Sequence, residues 1–365
     1  MQAVSEGAVR QLLPQAITSS AGLEFLHGYR RFIVAVAPAV LLIYIAIIVA
    51  AAGAGFATFL ALAPVAIAPV MSTFGIVALG RLQVAGAWGT LARGQMIASL
   101  AGTVLGLALL GATESPIGAS MALVTIELTV ALWNRAHVGV QSPAVSGSFD
   151  RKQLNPLIAY ATTAWLQAQS DRLFIGAVGG AAVLGKYSMG ISLSRSAGEA
   201  AAAAIANILR SRTAIGPTDP KSRDRLLYAG LGIGVVGTAI LVAVALFTIV
   251  PLLGPSWTAL RSVIPVLALC AIPSVLNWSA VVLHVSDGRA SRALIGPILG
   301  IGAGVAIGFA SGVSLELAAW FCVLREIVLL TATYSAMGAR APWKPYGAAL
   351  AITVAFIPLV LMLRG

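Results

Sequence analysis

The sequence predicts an all-α, polytopic membrane protein of about eleven transmembrane helices in two bundles. Three observations support this. Of 365 residues, 59% are hydrophobic and only 10% are charged, and mean hydropathy is +0.95, which excludes an ordinary soluble domain. Eleven runs approach the length of about 20 mostly apolar residues that a hydrocarbon core demands. The connections between those runs alternate in positive charge.

The spans fall near 32–52, 56–78, 95–111, 117–133, 154–180, 183–209, 226–250, 261–284, 293–310, 316–337 and 346–363. One set of connections carries Arg10, Arg30 and Arg31; Arg81 and Arg93; Arg135, Arg151 and Lys152; Arg210, Arg212, Lys221, Arg223 and Arg225; Arg289 and Arg292; Arg340 and Lys344. The other set, near 53–55, 112–116, 180–182, 251–260 and 311–315, carries no Lys or Arg. By the positive-inside rule the N-terminus is cytoplasmic and the C-terminus extracytoplasmic. The net charge of +11 therefore reads as loop charge facing anionic lipid. No basic-aromatic module points to nucleic acid.

Four domains are expected. Residues 1–31 form a mixed polar cytoplasmic segment without the pattern of a signal peptide. Residues 32–135 form a first lobe of about four helices, and 136–153, rich in Pro, Gly, Ser and charge, an inter-lobe loop. Residues 154–365 form a second lobe of about seven helices. Gly300, Gly304, Gly308 and Gly312 recur every four residues, a stripe for close approach of another helix; Gly230 with Gly234, and Gly102 with Gly106, are shorter versions. Pro38, Pro64, Pro69, Pro265, Pro273, Pro297 and Pro358 interrupt spans, which a membrane tolerates where protein or a cavity satisfies the freed backbone groups.

The residues that could carry function are charges inside apolar runs. Glu127, Arg195, Glu199, Arg325 and Glu326 fall near the middle of their spans. Facing lipid, the five would together cost roughly 15 kcal/mol, so they are expected to face inward, paired or hydrated. On 154–180, Tyr160, Thr163, Gln167 and Asp171 share one helical face; on 183–209, Ser188, Ser192, Arg195, Glu199 and Ala203 share another. The short turn between these spans makes them antiparallel neighbours, so the two stripes are expected to line one aqueous path. Arg195 and Glu199, one turn apart, are also placed to pair with each other. Arg325 and Glu326 are adjacent and are expected to diverge. Glu127, without a charged neighbour in its span, is the candidate for a carboxylate that titrates during transport. Cys270 and Cys322 read as small buried hydrophobes. His27, His137 and His284 are scattered, and no metal-ligand spacing, nucleophile elbow, phosphate loop or dinucleotide fingerprint is present. No cofactor, metal or catalytic residue is expected.

The run DRLFIGAVGGAAVLGKYSMGISL resembles the start of the second half of bacterial polysaccharide flippases. These are the O-antigen and exopolysaccharide exporters of the multidrug/oligosaccharidyl-lipid/polysaccharide superfamily. Asp171, Arg172, Leu184, Gly185, Tyr187 and Ser188 match the family's Asp-Arg pair and its "LG-Tyr-Ser" segment. VPLLGPSWTALRSVIPVLAL resembles the family's "LLGP-x-W" turn and following helix, and VVLHVSDGRASRAL its "ALGR"-like turn. The resemblance implies two lobes around a central cavity of alternating access in a bacterial inner membrane. It implies a lipid-linked oligosaccharide as cargo, on an undecaprenyl diphosphate carrier, with H+ or Na+ as the coupled ion. Arg172, Lys186, Arg195 and Arg325 become candidate contacts for phosphate or sugar, beside Glu127, Gln167, Asp171, Glu199 and Glu326 along the path. Family members have six helices in the first lobe where four are found here, so the first two spans are expected to be missing. Other readings are a non-transporting remnant or assembly partner of polysaccharide export, a small-molecule/cation antiporter of the same superfamily, and a membrane-embedded glycolipid enzyme. The outer loops are too short to favour the last.

Overall fold

The computed structural model describes residues 2–51, 53–139, 152, 154–215 and 219–362, and among them no strand occurs. Most of the predicted inter-lobe loop, 136–153, lies outside the described residues, as does Arg151. The chain divides into two compact units, Met1–Asp150 and Arg151–Gly365.

The first unit contains α1 (Gln2–Ile17), α2 (Ser20–Ala51), α3 (Phe56–Leu62), α4 (Ala68–Phe74), α5 (Ile76–Val84), α6 (Trp88–Thr113) and α7 (Ile117–His137). Pro64 and Pro69 break the predicted 56–78 span: each lacks an N–H for the ladder, and a 3-10 turn, Ala63–Ile67, joins α3 to α4. At Gly75, between α4 and α5, a Cβ would meet the Ala131 backbone of α7. The polar N-terminal segment is helical where it is described and belongs to this bundle. Val9, Leu13, Ala16 and Ile17 of α1 form a core with Leu26 and Ile76. The predicted packing face on α6 is present: Cβ atoms at Gly102 and Gly106 would strike Ile126 and Ala122 of α7.

The second unit contains α8 (Leu154–Ile215), α9 (Pro220–Val244), α10 (Val250–Leu253), α11 (Leu260–Ala268), α12 (Ala271–Ser286), α13 (Ile295–Val313), α14 (Leu315–Met337) and α15 (Trp343–Met362). Helix α8 is two helices. Gly180 has φ 77° and ψ 177°, a conformation reserved almost entirely for glycine, and it reverses the chain. The fold-back is plain from Tyr187, whose hydroxyl donates to Asp171 Oδ2 at 2.8 Å. Sixteen residues along a straight helix would separate them by about 24 Å. A π turn, Ala245–Ile249, precedes Pro251. It accommodates a residue that can neither donate nor sit against the carbonyl four positions back.

Nine described segments are long and apolar enough to cross a membrane. Counting α8 as two and adding α14, whose Glu316, Arg325 and Glu326 lower its hydropathy, gives helical segments for all eleven predicted spans. Large apolar side chains cover the outside: Phe247 is 79% exposed and Phe309 68%, a surface suited to lipid rather than water. Leu260–Ser286 differs, with 78% of its most apolar window buried against 17–44% for the other spans, so α11 and α12 form the axis of this unit. The glycine stripe of α13 lies against the first arm of α8. A Cβ at Gly300 would meet Gln167, at Gly304 Ser170, at Gly308 Phe174 and at Gly312 Val178. One departure concerns the charge pattern: Arg261 opens α11 and Lys186 lies shortly after the Gly180 turn. The ends predicted to lack cations are thus flanked by two.

Replacing Gly304 by Val should lower the thermal midpoint in detergent by several degrees, because overpacking a tight contact costs about 1–3 kcal/mol. Gly302→Ala, where a Cβ meets nothing, should leave it unchanged. Equal midpoints for both variants would disprove the assignment of the stripe.

Candidate functional site

The second unit holds a cavity of about 450 Å³ whose wall includes Tyr160, Gln167, Gln169, Asp171, Arg172, Arg195, Glu199, Ser274, Asn277, Trp278, Arg325 and Glu326. Both arms of α8, with α12 and α14, supply these groups. Glu326, at the middle of α14, is the hub. Its Oε1 accepts from Arg195 Nη2 at 3.3 Å and from Arg325 Nη2 at 3.1 Å, and its Oε2 accepts from Asn277 Nδ2 at 3.3 Å. Arg325 Nη1 donates to Asp171 Oδ2 at 3.2 Å, the oxygen that also accepts from Tyr187. Arg195 Nη2 donates to Ser274 Oγ at 3.2 Å, and its Nε lies 3.2 Å from Glu199 Oε1. That last contact is an ion pair rather than a directed hydrogen bond, since Arg195 Nε makes none.

These contacts form one chain of alternating sign, Glu199–Arg195–Glu326–Arg325–Asp171, capped by Tyr187. Asp171, Arg325 and Glu326 are 3–4% exposed and Arg195 is 9% exposed; the Glu199 side chain, at 40%, is the open end. Burying such groups singly is prohibitive, and pairing with added hydrogen bonds makes it tolerable. The chain also stitches four helical segments together: Asp171 lies on the first arm of α8, Tyr187 and Arg195 on the second, Asn277 on α12 and Glu326 on α14.

The sequence-derived candidates divide accordingly. Gln167, Asp171, Arg172, Arg195, Glu199, Arg325 and Glu326 all line the cavity. Lys186 does not: nine residues before Arg195 at 100° per residue, it points to the opposite side of its helix. Glu127 lies on α7 of the first unit, half-buried, and takes no part in this cavity. The polar stripes are corrected in detail. Thr163 bonds back to the Ala159 and Tyr160 carbonyls, and Ser192 is exposed and bonds to the Ser188 carbonyl, so Ile191, Arg195 and Glu199 form the lining face. Arg325 and Glu326 do not diverge. Their Cα–Cβ bonds do, but the long arginine side chain curls back to its neighbour's carboxylate.

The charges of the cavity balance. Its charged lining comprises Asp171, Arg172, Arg195, Glu199, Arg325 and Glu326, three cations and three anions. Among the described residues, Arg172 is the cavity cation without an ion-pair partner. Its backbone N–H donates to Asp171 Oδ1 at 2.8 Å.

Sequence reasoning missed Tyr187 as a site residue, together with Ser274, Asn277, Trp278 and Cys322. Ser274, Asn277 and Trp278, spaced three and four apart, carried a detectable signal: a polar stripe on an otherwise apolar span. Cys322 is more than a small hydrophobe, for its Sγ lies 3.4 Å from Arg325 Nη2, 3.7 Å from Tyr187 Oη and 3.9 Å from Arg195 Nη1. His284 is buried, with Nε2 3.2 Å from the Thr333 carbonyl. Among the described residues no group of three His, Cys, Asp or Glu could hold a metal ion.

Fold and site together define a multi-pass, all-α membrane protein with an ion-paired polar cavity inside its second unit. No protein-family model matches the chain, and no curated protein matches it.

Removing one member of the chain should expose how it is shared. Glu326→Ala takes one carboxylate partner from each of two buried guanidiniums and should destabilise the protein by about 3 kcal/mol, read as loss of folded protein on heating in detergent. Glu199→Gln, at the exposed end, should shift the midpoint far less. A reversed order would overturn the assignment of Glu326 as hub.

Proposed function

We propose that the chain is a transporter of lipid-linked oligosaccharide, flipping a saccharide on an undecaprenyl diphosphate type carrier across a bacterial inner membrane by alternating access. The supporting observation is the cavity: a polar, charge-balanced space among apolar helices, with one unpaired guanidinium, three amide side chains and an exposed tryptophan. Arg172 would contact the diphosphate, since a guanidinium matches phosphate oxygens in a planar fork. Gln167, Gln169 and Asn277 would bond sugar hydroxyls, and Trp278, 46% exposed, offers an aromatic face to a sugar ring. The resemblance of the sequence to polysaccharide flippases favours the same reading, and two segments that carry it meet at the Tyr187–Asp171 hydrogen bond.

The ion chain suits alternating access. Two links, Arg195–Glu326 and Arg325–Asp171, join helical segments, and the other two, Arg195–Glu199 and Arg325–Glu326, lie within one segment, so the segments part with each guanidinium keeping a carboxylate instead of exposing a bare charge to lipid. A coupling ion, H+ or Na+, would enter at Glu199, where the chain meets the open cavity. In this reading the positively charged loops and the N-terminus face the cytoplasm and the C-terminus faces outward.

Inversion of a fluorescent lipid-linked oligosaccharide in proteoliposomes tests the proposal. The wild-type chain should accelerate inversion, and Arg172→Gln should slow it at least tenfold without loss of membrane insertion. Arg195→Ala should slow it as well. Absence of inversion by the wild type, or full activity in both variants, would refute the proposal.

A further inference from the structure

The first unit contains a second concentration of charge, built differently from the cavity of the second. A pocket of about 340 Å³ is lined by Leu26, His27 and Arg30 of α2, Thr73 and Phe74 of α4, Ile76 to Arg81 in part of α5, and the end of α7 with Arg135. The guanidinium carbons of Arg30 and Arg135 each lie 4.6 Å from the centre of the Phe74 ring, so they stand within twice that distance of one another. Arg81 is the third cation on the wall, and its Nε is buried without an acceptor. Among the described residues no carboxylate lines the pocket. Among the described residues none of these three arginines has an ion-pair partner.

We infer that this pocket binds a phosphate group, held by Arg30, Arg81 and Arg135. The Phe74 ring favours cations over its face, but its quadrupole cannot cancel two positive charges, and a third adds to their repulsion. The three side chains come from three separate helices, so no property of a single helix gathers them. An anion at their centre relieves the repulsion and supplies the acceptor that Arg81 Nε lacks. Three guanidinium forks, each able to donate two parallel N–H bonds, match the several oxygens of a phosphate. Membranes offer such a group in their headgroup layer. Arg30, Arg81 and Arg135 belong to three of the connections that sequence places on one face of the bilayer, and basic pockets between helices there bind anionic lipid headgroups. Free phosphate is the other source of the same chemistry. The inference concerns the first unit alone and stands apart from the transport proposal.

The test is thermal unfolding of the full-length protein in detergent, titrated separately with phosphatidylglycerol, phosphatidylcholine and inorganic phosphate, the last against chloride at equal ionic strength. Phosphatidylglycerol should raise the midpoint by several degrees where phosphatidylcholine does not. The Arg30→Gln/Arg135→Gln variant should need at least tenfold more of it for the same effect, while Arg93→Gln, at an exposed arginine of α6 outside the pocket, should match wild type. A rise with inorganic phosphate, lost in the same double variant, would support the site and identify the free anion as its source. If the double variant does not fold, the single change Arg135→Gln, at an exposed position, takes its place, with native mass spectrometry of retained phospholipid as the readout. Equal responses of variant and wild type, or no response to either phosphate source, would overturn the inference.

Discussion

The carboxylate of Glu326 holds the second unit together. It lies in the middle of an apolar helix, where alone it would be expelled or protonated, and two guanidiniums and an amide make its charge acceptable. Each partner belongs to a different element or a different turn, so the electrostatic requirement of one side chain fixes how α8, α12 and α14 meet. Asp171 does the same at a smaller scale, taking Arg325 from α14 and Tyr187 from its own hairpin. In hydrocarbon, apolar side chains gain little by meeting one another instead of lipid. Polar contacts and close packing therefore carry more of the specificity here than they would in a soluble core.

Close packing comes from the glycines of α13. With no Cβ at Gly300, Gly304 and Gly308, the first arm of α8 lies directly on α13, and Gln167, Ser170 and Phe174 occupy the vacated space. That contact fixes the rotation of the arm and so the direction of Asp171 and Arg172, neighbours on a helix that serve opposite purposes. Asp171 turns inward and is used up by Arg325 and Tyr187. Arg172, 100° further round, keeps its charge for the cavity. The hairpin at Gly180 then brings Arg195 opposite, and the axis helix α12 adds the neutral groups.

Much of this was legible in the sequence because membrane helices obey few rules strongly. Length and hydropathy marked the spans, glycine spacing marked the α13 face, helical phase marked Gln167 and Asp171, and the expense of mid-membrane charge marked Arg195, Glu199, Arg325 and Glu326 as inward-facing. What could not be read was reach and phase. Residue-level direction decides that Lys186 leaves the cavity and Ile191 enters it, and a one-residue error in phase rotates a face by 100°. Side-chain length lets Arg325 turn back onto Glu326 although their backbones diverge. Charge balance in the cavity was hidden for a related reason: counting basic residues along the chain does not show which carboxylates they meet. The assembly of Arg30, Arg81 and Arg135 in one pocket with Phe74 was hidden as well, since it joins three helices that a linear reading treats one at a time.

The Asp171–Arg325 pair spans 154 residues of sequence. At ribosomal speeds of about 5–20 residues per second, roughly 8–30 s pass between the synthesis of the carboxylate and that of its guanidinium. Throughout that interval the α8 hairpin is already present while α14 has not been made. Two contacts formed within the hairpin are available at once, Tyr187 to Asp171 and Arg195 to Glu199. The hairpin is thus provisioned with interim partners, and the order in which its charges change hands is set by the order in which the chain is made.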